Sequence, residues 1–279
     1  MDLPPLHRQF LDDVLPRIQR EAGVVGVAAS GSLASGNPDT YSDIDLIIVI
    51  DETSFEPVMT RRLELIGSWT DLVAGFTGEH VGEPRLIITL VGPPLLHVDF
   101  KFVRLTDFAE RSEDPHILWE RDEELSHALA QQPAKASRLD LQWIEDRFWT
   151  WVHYGATKLG RGELLEVAGF LAYLREAVLG PLAAVRAGAP PRGVRRLESV
   201  APDEARALRA TLSGENQIEA GWALLACVDL YGRWRDESGM LVERRRNAEQ
   251  HAVRYLRDVL AATGRPARDG RRGPIDAVS

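Results

Sequence analysis

Gly31-Ser32-Leu33-Ala34-Ser35-Gly36-Asn37-Pro38-Asp39-Thr40-Tyr41-Ser42-Asp43-Ile44-Asp45-Leu46 is the most informative segment of the chain. It opens on a Gly-Ser turn, crosses a short polar loop and delivers two aspartates to the head of the apolar run Leu46-Ile47-Ile48-Val49-Ile50. That run, rich in branched residues and bounded by polar loops, predicts a buried strand. Side chains alternate along a strand, so Asp43 and Asp45 point to one face. Two adjacent carboxylates repel each other unless something positive lies between them. A divalent cation meets that need, and Mg²⁺ commonly takes one or two carboxylates together with substrate phosphates.

A second strand offers a third carboxylate. In Leu95-Leu96-His97-Val98-Asp99-Phe100-Lys101-Phe102-Val103, Val98, Phe100 and Phe102 share one face while His97, Asp99 and Lys101 share the other. If this strand lies beside the first, Asp43, Asp45 and Asp99 converge. Three carboxylates suffice for two magnesium ions about 3.5–4 Å apart, the arrangement used for in-line displacement at phosphorus. Gly31 and Ser32 are then candidates to bind nucleotide phosphates, because glycine admits close backbone approach and the amides and hydroxyl donate hydrogen bonds. Ser42 is a weaker candidate for the same role, or an orienting group for the carboxylates.

A Gly-Ser turn, a loop, Asp-x-Asp and a later single Asp on a strand resemble the nucleotidyltransferase superfamily that includes DNA polymerase β. Within it, the length of the chain and its helical C-terminal half look most like the antibiotic adenylyltransferases, which modify aminoglycosides or lincosamides. The motif resemblance covers roughly residues 24–103. It implies two Mg²⁺ ions held by Asp43, Asp45 and Asp99, ATP as nucleotide donor, and transfer of AMP to a hydroxyl of a small acceptor, plausibly an aminoglycoside, with release of pyrophosphate. It also implies a lysine on the helical domain that reaches the triphosphate, for which Lys158 is the candidate. A glutamate base for the acceptor hydroxyl is implied too. Glu145, Glu163 and Glu166 are its candidates, and Asp99 itself is another. Alternatives are a lincosamide, another small molecule, a protein or a tRNA as acceptor, and a non-catalytic nucleotide-binding protein on the same fold.

The chain has 279 residues, of which 44% are hydrophobic and 27% charged, an ordinary globular balance. Residues 1–132 hold 23 acidic and 10 basic side chains, a net of −13, whereas residues 133–279 are net +4. An acidic catalytic half repels a polyanion and attracts a polycation, which argues against nucleic acid and for a polycationic small molecule. The single cysteine, Cys227, lies in an apolar helical stretch and is expected to be a buried small hydrophobe. The N-terminus lacks a basic segment followed by an apolar stretch, so no signal peptide is expected, and a cytoplasmic location follows. No run approaches the ~20 apolar residues of a membrane span, so no membrane contact is expected.

Periodicity predicts an opening helix over 5–21, strands over Val24–Ala29, Asp43–Ile50, Arg85–Val91 and Leu95–Val103, and a helix over Phe55–Val73. Beyond about residue 130 the pattern is helical throughout, over Leu139–Leu159, Leu164–Val185, Glu204–Leu212, Gln217–Arg235 and Leu241–Ala262. The expected fold is α+β. It has a catalytic domain over 1–132 with a small mixed sheet and flanking helices, a helical substrate-binding bundle over 133–263, and a mobile tail over 264–279. Trp143, Trp149, Trp151 and Tyr154 on the first long helix are candidates to stack on a ligand, although a tryptophan stripe at helical spacing is more often core.

Overall fold

The computed structural model describes residues 3–263, and the tail expected over 264–279 lies outside the described residues. The chain divides between Ala136 and Ser137 into two compact units.

The N-terminal unit is built on a six-stranded sheet. Its elements are α1 (Pro5–Ile18), β1 (Val24–Ala29), β2 (Ile44–Ile50), α2 (Phe55–Trp69), β3 (Leu72–Gly78), β4 (Glu83–Val91), β5 (Leu96–Arg104), β6 (His116–Glu120) and α3 (Glu124–Ala130). The strand order is β3-β4-β5-β2-β1-β6. Strands β2 and β5 run parallel, and every other neighbouring pair is antiparallel. The result is the mixed sheet with flanking helices of an α+β domain.

Alternation decides which face is covered. Ile44, Leu46 and Ile48 of β2 and Val98, Phe100 and Phe102 of β5 are all buried. They form one core with Leu11, Val14 and Ile18 of α1 and with Val58, Leu65, Ile66 and Trp69 of α2. On the opposite face a smaller core joins Ala28, Val49 and Val103 to Phe108 and to Leu125 and Ala128 of α3. That second cover shields only part of its face. The row that begins with Asp45 lies beyond it.

Two strands and a helix depart from expectation. The helix expected to reach Val73 stops at Trp69, where Thr70 takes an extended conformation and β3 begins. As an edge strand with glycines at 75 and 78 and both faces partly exposed, β3 carries no alternation to read. The other edge, β6, is five residues long. Before α3 the backbone turns through positive φ at Asp122 and Glu123, which no glycine announces.

The C-terminal unit is helical, with α4 (Leu141–Gly160), α5 (Leu164–Arg186), α6 (Gln217–Glu237) and α7 (Arg246–Thr263) around one apolar core. Asp140 caps α4 by accepting from Trp143 N, and Asn216 caps α6 by accepting from Glu219 N. A π-turn over Arg175–Leu179 interrupts α5 just before Pro181, which lacks the N–H that a regular helix would use. By length and composition α5 is apolar enough to cross a membrane, an exception to the expectation that no segment would be. Val167, Leu171, Leu174, Val178 and Leu182 of α5 are buried in the helical core. The last helix starts at Arg246 and not at Leu241. The backbone N–H of Glu243 donates to Gln142 Oε1 at 2.7 Å and that of Arg245 to Glu145 Oε1 at 2.9 Å, so side chains of α4 hold this segment extended.

Candidate active site

Strands β2 and β5 carry the carboxylates. In their parallel register Asp45 is the direct partner of Asp99. Neighbouring partners in a sheet project to the same face. Asp43 precedes the first residue of β2 by one position, at the end of the loop that leads into the strand. The buried Ile44, Leu46, Val98 and Phe100 fix this arrangement from the other face, because a slip of one residue would put aspartates into the core. On β5, His97 Nε2 lies 3.0 Å from Asp99 Oδ1.

The turn after β1 is pressed against Asp45. Ser30 N donates to the Asp45 carbonyl at 3.0 Å. Gly31 has φ +60°, and a β-carbon there would collide with Asp45 Oδ2. Only glycine satisfies both constraints. Ser32 follows within the helical turn Gly31–Ala34, and its Oγ is buried with no hydrogen-bond partner among the described residues. A buried hydroxyl without a protein partner is uncommon.

The polar loop before Asp43 is closed by its own side chains. Asp39 N donates to Ser42 Oγ at 2.9 Å, Tyr41 N donates to Asp39 Oδ1 at 2.8 Å, and Ser42 Oγ lies 3.3 Å from Asp39 Oδ1. These bonds tie the Ser42 hydroxyl to Asp39 within the loop. The loop is also tied to α1, where buried His7 donates from Nε2 to the Ser42 carbonyl at 2.7 Å. His7 was not among the residues singled out from the sequence. The signal was available in the spacing His7, Leu11, Val14, Ile18, which places the histidine on the buried stripe of α1.

No group of three or more His, Cys, Asp or Glu side chains among the described residues is already gathered as a metal cluster. The surroundings nonetheless suit a cation and a phosphate. The donor set is hard oxygen, the carboxylates Asp45 and Asp99 are lateral neighbours, and glycine and the partnerless Ser32 hydroxyl lie beside them.

The remaining candidates belong to the helical unit. Lys158 Nζ donates to Glu163 Oε2 at 2.8 Å, and this bond raises the lysine pKa and lowers that of the glutamate. Glu166 accepts from the Tyr154 hydroxyl. Glu145 corrects the expectation of a base. It is fully buried, and its carboxylate accepts from Trp149 Nε1 at 3.0 Å, Tyr231 OH at 2.7 Å, Arg235 Nη1 at 3.0 Å and Arg245 N at 2.9 Å. Burial pushes its pKa up, but the bonds from Tyr231, Trp149, Arg245 and Arg235 outweigh that and hold it low. Such a group braces α4 against α6 and α7. Trp149 is likewise core, whereas Trp143, Trp151, Tyr173, Phe170 and Tyr154 form a run of ring contacts at the surface of α4 and α5.

Residues 11–91 match the family model described as nucleotidyltransferase domain. The match begins within α1 and ends at β4, so His7 and Asp99 lie outside it. No curated protein matches the chain. Among solved structures, an aminoglycoside 6-adenyltransferase from Bacillus subtilis is 13% identical, with 89% of this chain and 97% of that one covered and a TM-score of 0.40. A nucleotidyltransferase-like protein from Exiguobacterium sibiricum is 15% identical, with 93% and 81% covered and a TM-score of 0.36. A spectinomycin adenyltransferase from Enterococcus faecialis, solved with ATP and spectinomycin, is 12% identical, with 92% and 98% covered and a TM-score of 0.28.

Proposed function

We propose that this nucleotidyltransferase, whose domain model spans residues 11–91, moves AMP from ATP onto a hydroxyl of a small molecule and releases pyrophosphate. The observation that carries the reading is the lateral pairing of Asp45 with Asp99 beside Gly31 and the partnerless Ser32 hydroxyl. In this reading Asp43, Asp45 and Asp99 would hold two Mg²⁺ ions. When bound, such ions neutralise triphosphate charge and stabilise the charge that develops on the transferred phosphoryl group. Gly31 lets the backbone approach the phosphates, and Ser32 donates its hydroxyl to one of them.

Asp99 takes up the proton of the acceptor hydroxyl, and His97 orients its carboxylate through Oδ1. Glu163 is the alternative base. Its carboxylate accepts from Lys158 Nζ within the helical unit. An aminoglycoside is the acceptor we favour, because the first 132 residues are net −13 and would attract a polycation.

The test is incubation with labelled ATP, Mg²⁺ and a panel of aminoglycosides and lincosamides, followed by pyrophosphate release and the mass of the acceptor. Asp45→Asn and Asp43→Asn should each abolish transfer while leaving the fold intact. Loss of a metal ligand removes several kcal/mol of transition-state stabilisation, more than about a hundredfold in rate. Near-normal turnover by both folded variants rules the assignment out.

A further inference from the structure

The sheet does not end at Asp99. Its antiparallel partner on β4 is Ile88, and the partner of Ile88 on β3 is Phe76. The row therefore reads Asp45, Asp99, Ile88, Phe76 across four strands, with all four side chains on one face. The next row on that face is His97, Leu90, Ala74. None of Phe76, Ile88 and Leu90 belongs to a described core cluster or packs against one. Phe76 is 54% exposed and Leu90 40% exposed. His80 stacks at a tilt on Phe76, with ring centroids 5.6 Å apart, and closes the outer end.

We propose that this uncovered surface is the acceptor platform, taking a ring-bearing polyol of one or two linked rings that lies with an apolar C–H face on Phe76, Ile88 and Leu90 and a hydroxyl at Asp99. The inference rests on the transfer reading above and adds to it the place and the shape of the acceptor.

Three physical arguments select that occupant. The platform is continuous with the carboxylate row, so a molecule seated on it cannot avoid presenting an edge to Asp99. Two strand spacings separate Asp99 from Phe76, about 10 Å, which matches one or two six-membered rings and not a polymer. Its cations are already engaged, since Glu83 lies 2.8 Å from both Lys101 Nζ and Arg85 Nε, and Arg85 also faces Asp107. That leaves little for a phosphodiester backbone to bind. Aromatic and aliphatic side chains flanked by carboxylate and imidazole suit a ring whose faces are C–H and whose edge carries hydroxyl and amino groups.

Steady-state kinetics of Phe76→Ala, Leu90→Ser and Phe76→Trp with the same panel, Mg²⁺ and ATP test this, because both positions are exposed and their replacement spares the core. The two truncations should raise the KM for the acceptor about tenfold with kcat and the KM for ATP unchanged. Phe76→Trp should retain the parent value. Unchanged acceptor KM in both truncations overturns the proposal. So does a parent dimer that Phe76→Ala converts to a monomer of equal specific activity, because the face would then join two copies of the chain. If no ring compound is modified, titration with Mg²⁺ and ATP separates the failures. Binding that Asp45→Asn abolishes keeps the nucleotide site and overturns the platform, as would modification of RNA or a protein in its place. Binding indifferent to Asp45 overturns the transfer reading and the platform with it.

Discussion

At the scale of single residues, the site is held by groups that do no chemistry themselves. His7 is the clearest of them, a buried imidazole whose Nε2 donates to the carbonyl immediately before Asp43. His7→Leu fills most of the volume but leaves that carbonyl without its donor, which should cost about 1–3 kcal/mol. More specifically, it should raise the Mg²⁺ concentration needed for half-maximal transfer. His7→Gln, which can present an N–H to the same carbonyl, should recover most of that requirement. Loss of stability with an unchanged Mg²⁺ requirement would make the histidine a simple core residue. Glu145 gives the opposite expectation. Glu145→Ala takes one of three carboxylates from the buried Arg235 and leaves Tyr231 OH and Trp149 Nε1 without their acceptor, which should destabilise the chain by about 3–5 kcal/mol in urea unfolding. Were it instead to abolish transfer at full stability, Glu145 would be a base after all.

At the scale of elements, most of what could be read from the sequence was carried by strands with a strong inside and outside. Val24–Ala29 is read to the residue, and the Asp-x-Asp strand begins one residue later than expected because Asp43 belongs to the loop that His7 and Asp39 shape. Alternation on β5 correctly puts Val98, Phe100 and Phe102 inward. The edge β3 was illegible, since a strand partly exposed on both faces has no pattern to display, and β6 is five residues long with Ile117 packed on one core and Leu118 and Trp119 on the other, which leaves no alternation. The platform was illegible for the same reason: Phe76 gains its meaning only from the register that places it beyond Ile88. The burial of Glu145 was hidden because partners such as Tyr231 and Arg235 are remote in sequence.

On β4, hydrogen bonding to Arg85, with Lys101 adding to it, lowers the Glu83 pKa from 4.5 to about 2. A depressed carboxylate stabilises the fold above its unfolded value, and the contribution disappears as pH falls through the folded one. Glu83→Gln should therefore melt below the parent at neutral pH, and the gap should close between 4.5 and about 2. A gap that is constant across that window would show that the ion pairs do not matter.

At the scale of the whole molecule, the acidic first 132 residues, net −13, should steer a polycationic acceptor to the N-terminal unit. Screening shortens the reach of such a field from about 10 Å at 0.1 M salt to about 3 Å at 1 M. Catalytic efficiency toward an aminoglycoside should accordingly fall as salt rises, chiefly through KM, while a singly charged lincosamide should show little change. Equal salt dependence for both would remove the steering argument. The pairing of β2 with β5 has one more consequence, for how such chains vary in length. Asp45 and Asp99 meet laterally although all of α2, β3 and β4 intervenes between them. Insertions and deletions in the connections of that intervening stretch leave the meeting undisturbed. A single residue added within β2 or β5 would turn one aspartate from its neighbour toward the core. Relatives should therefore differ freely in the span between the two strands while keeping the strands themselves the same length.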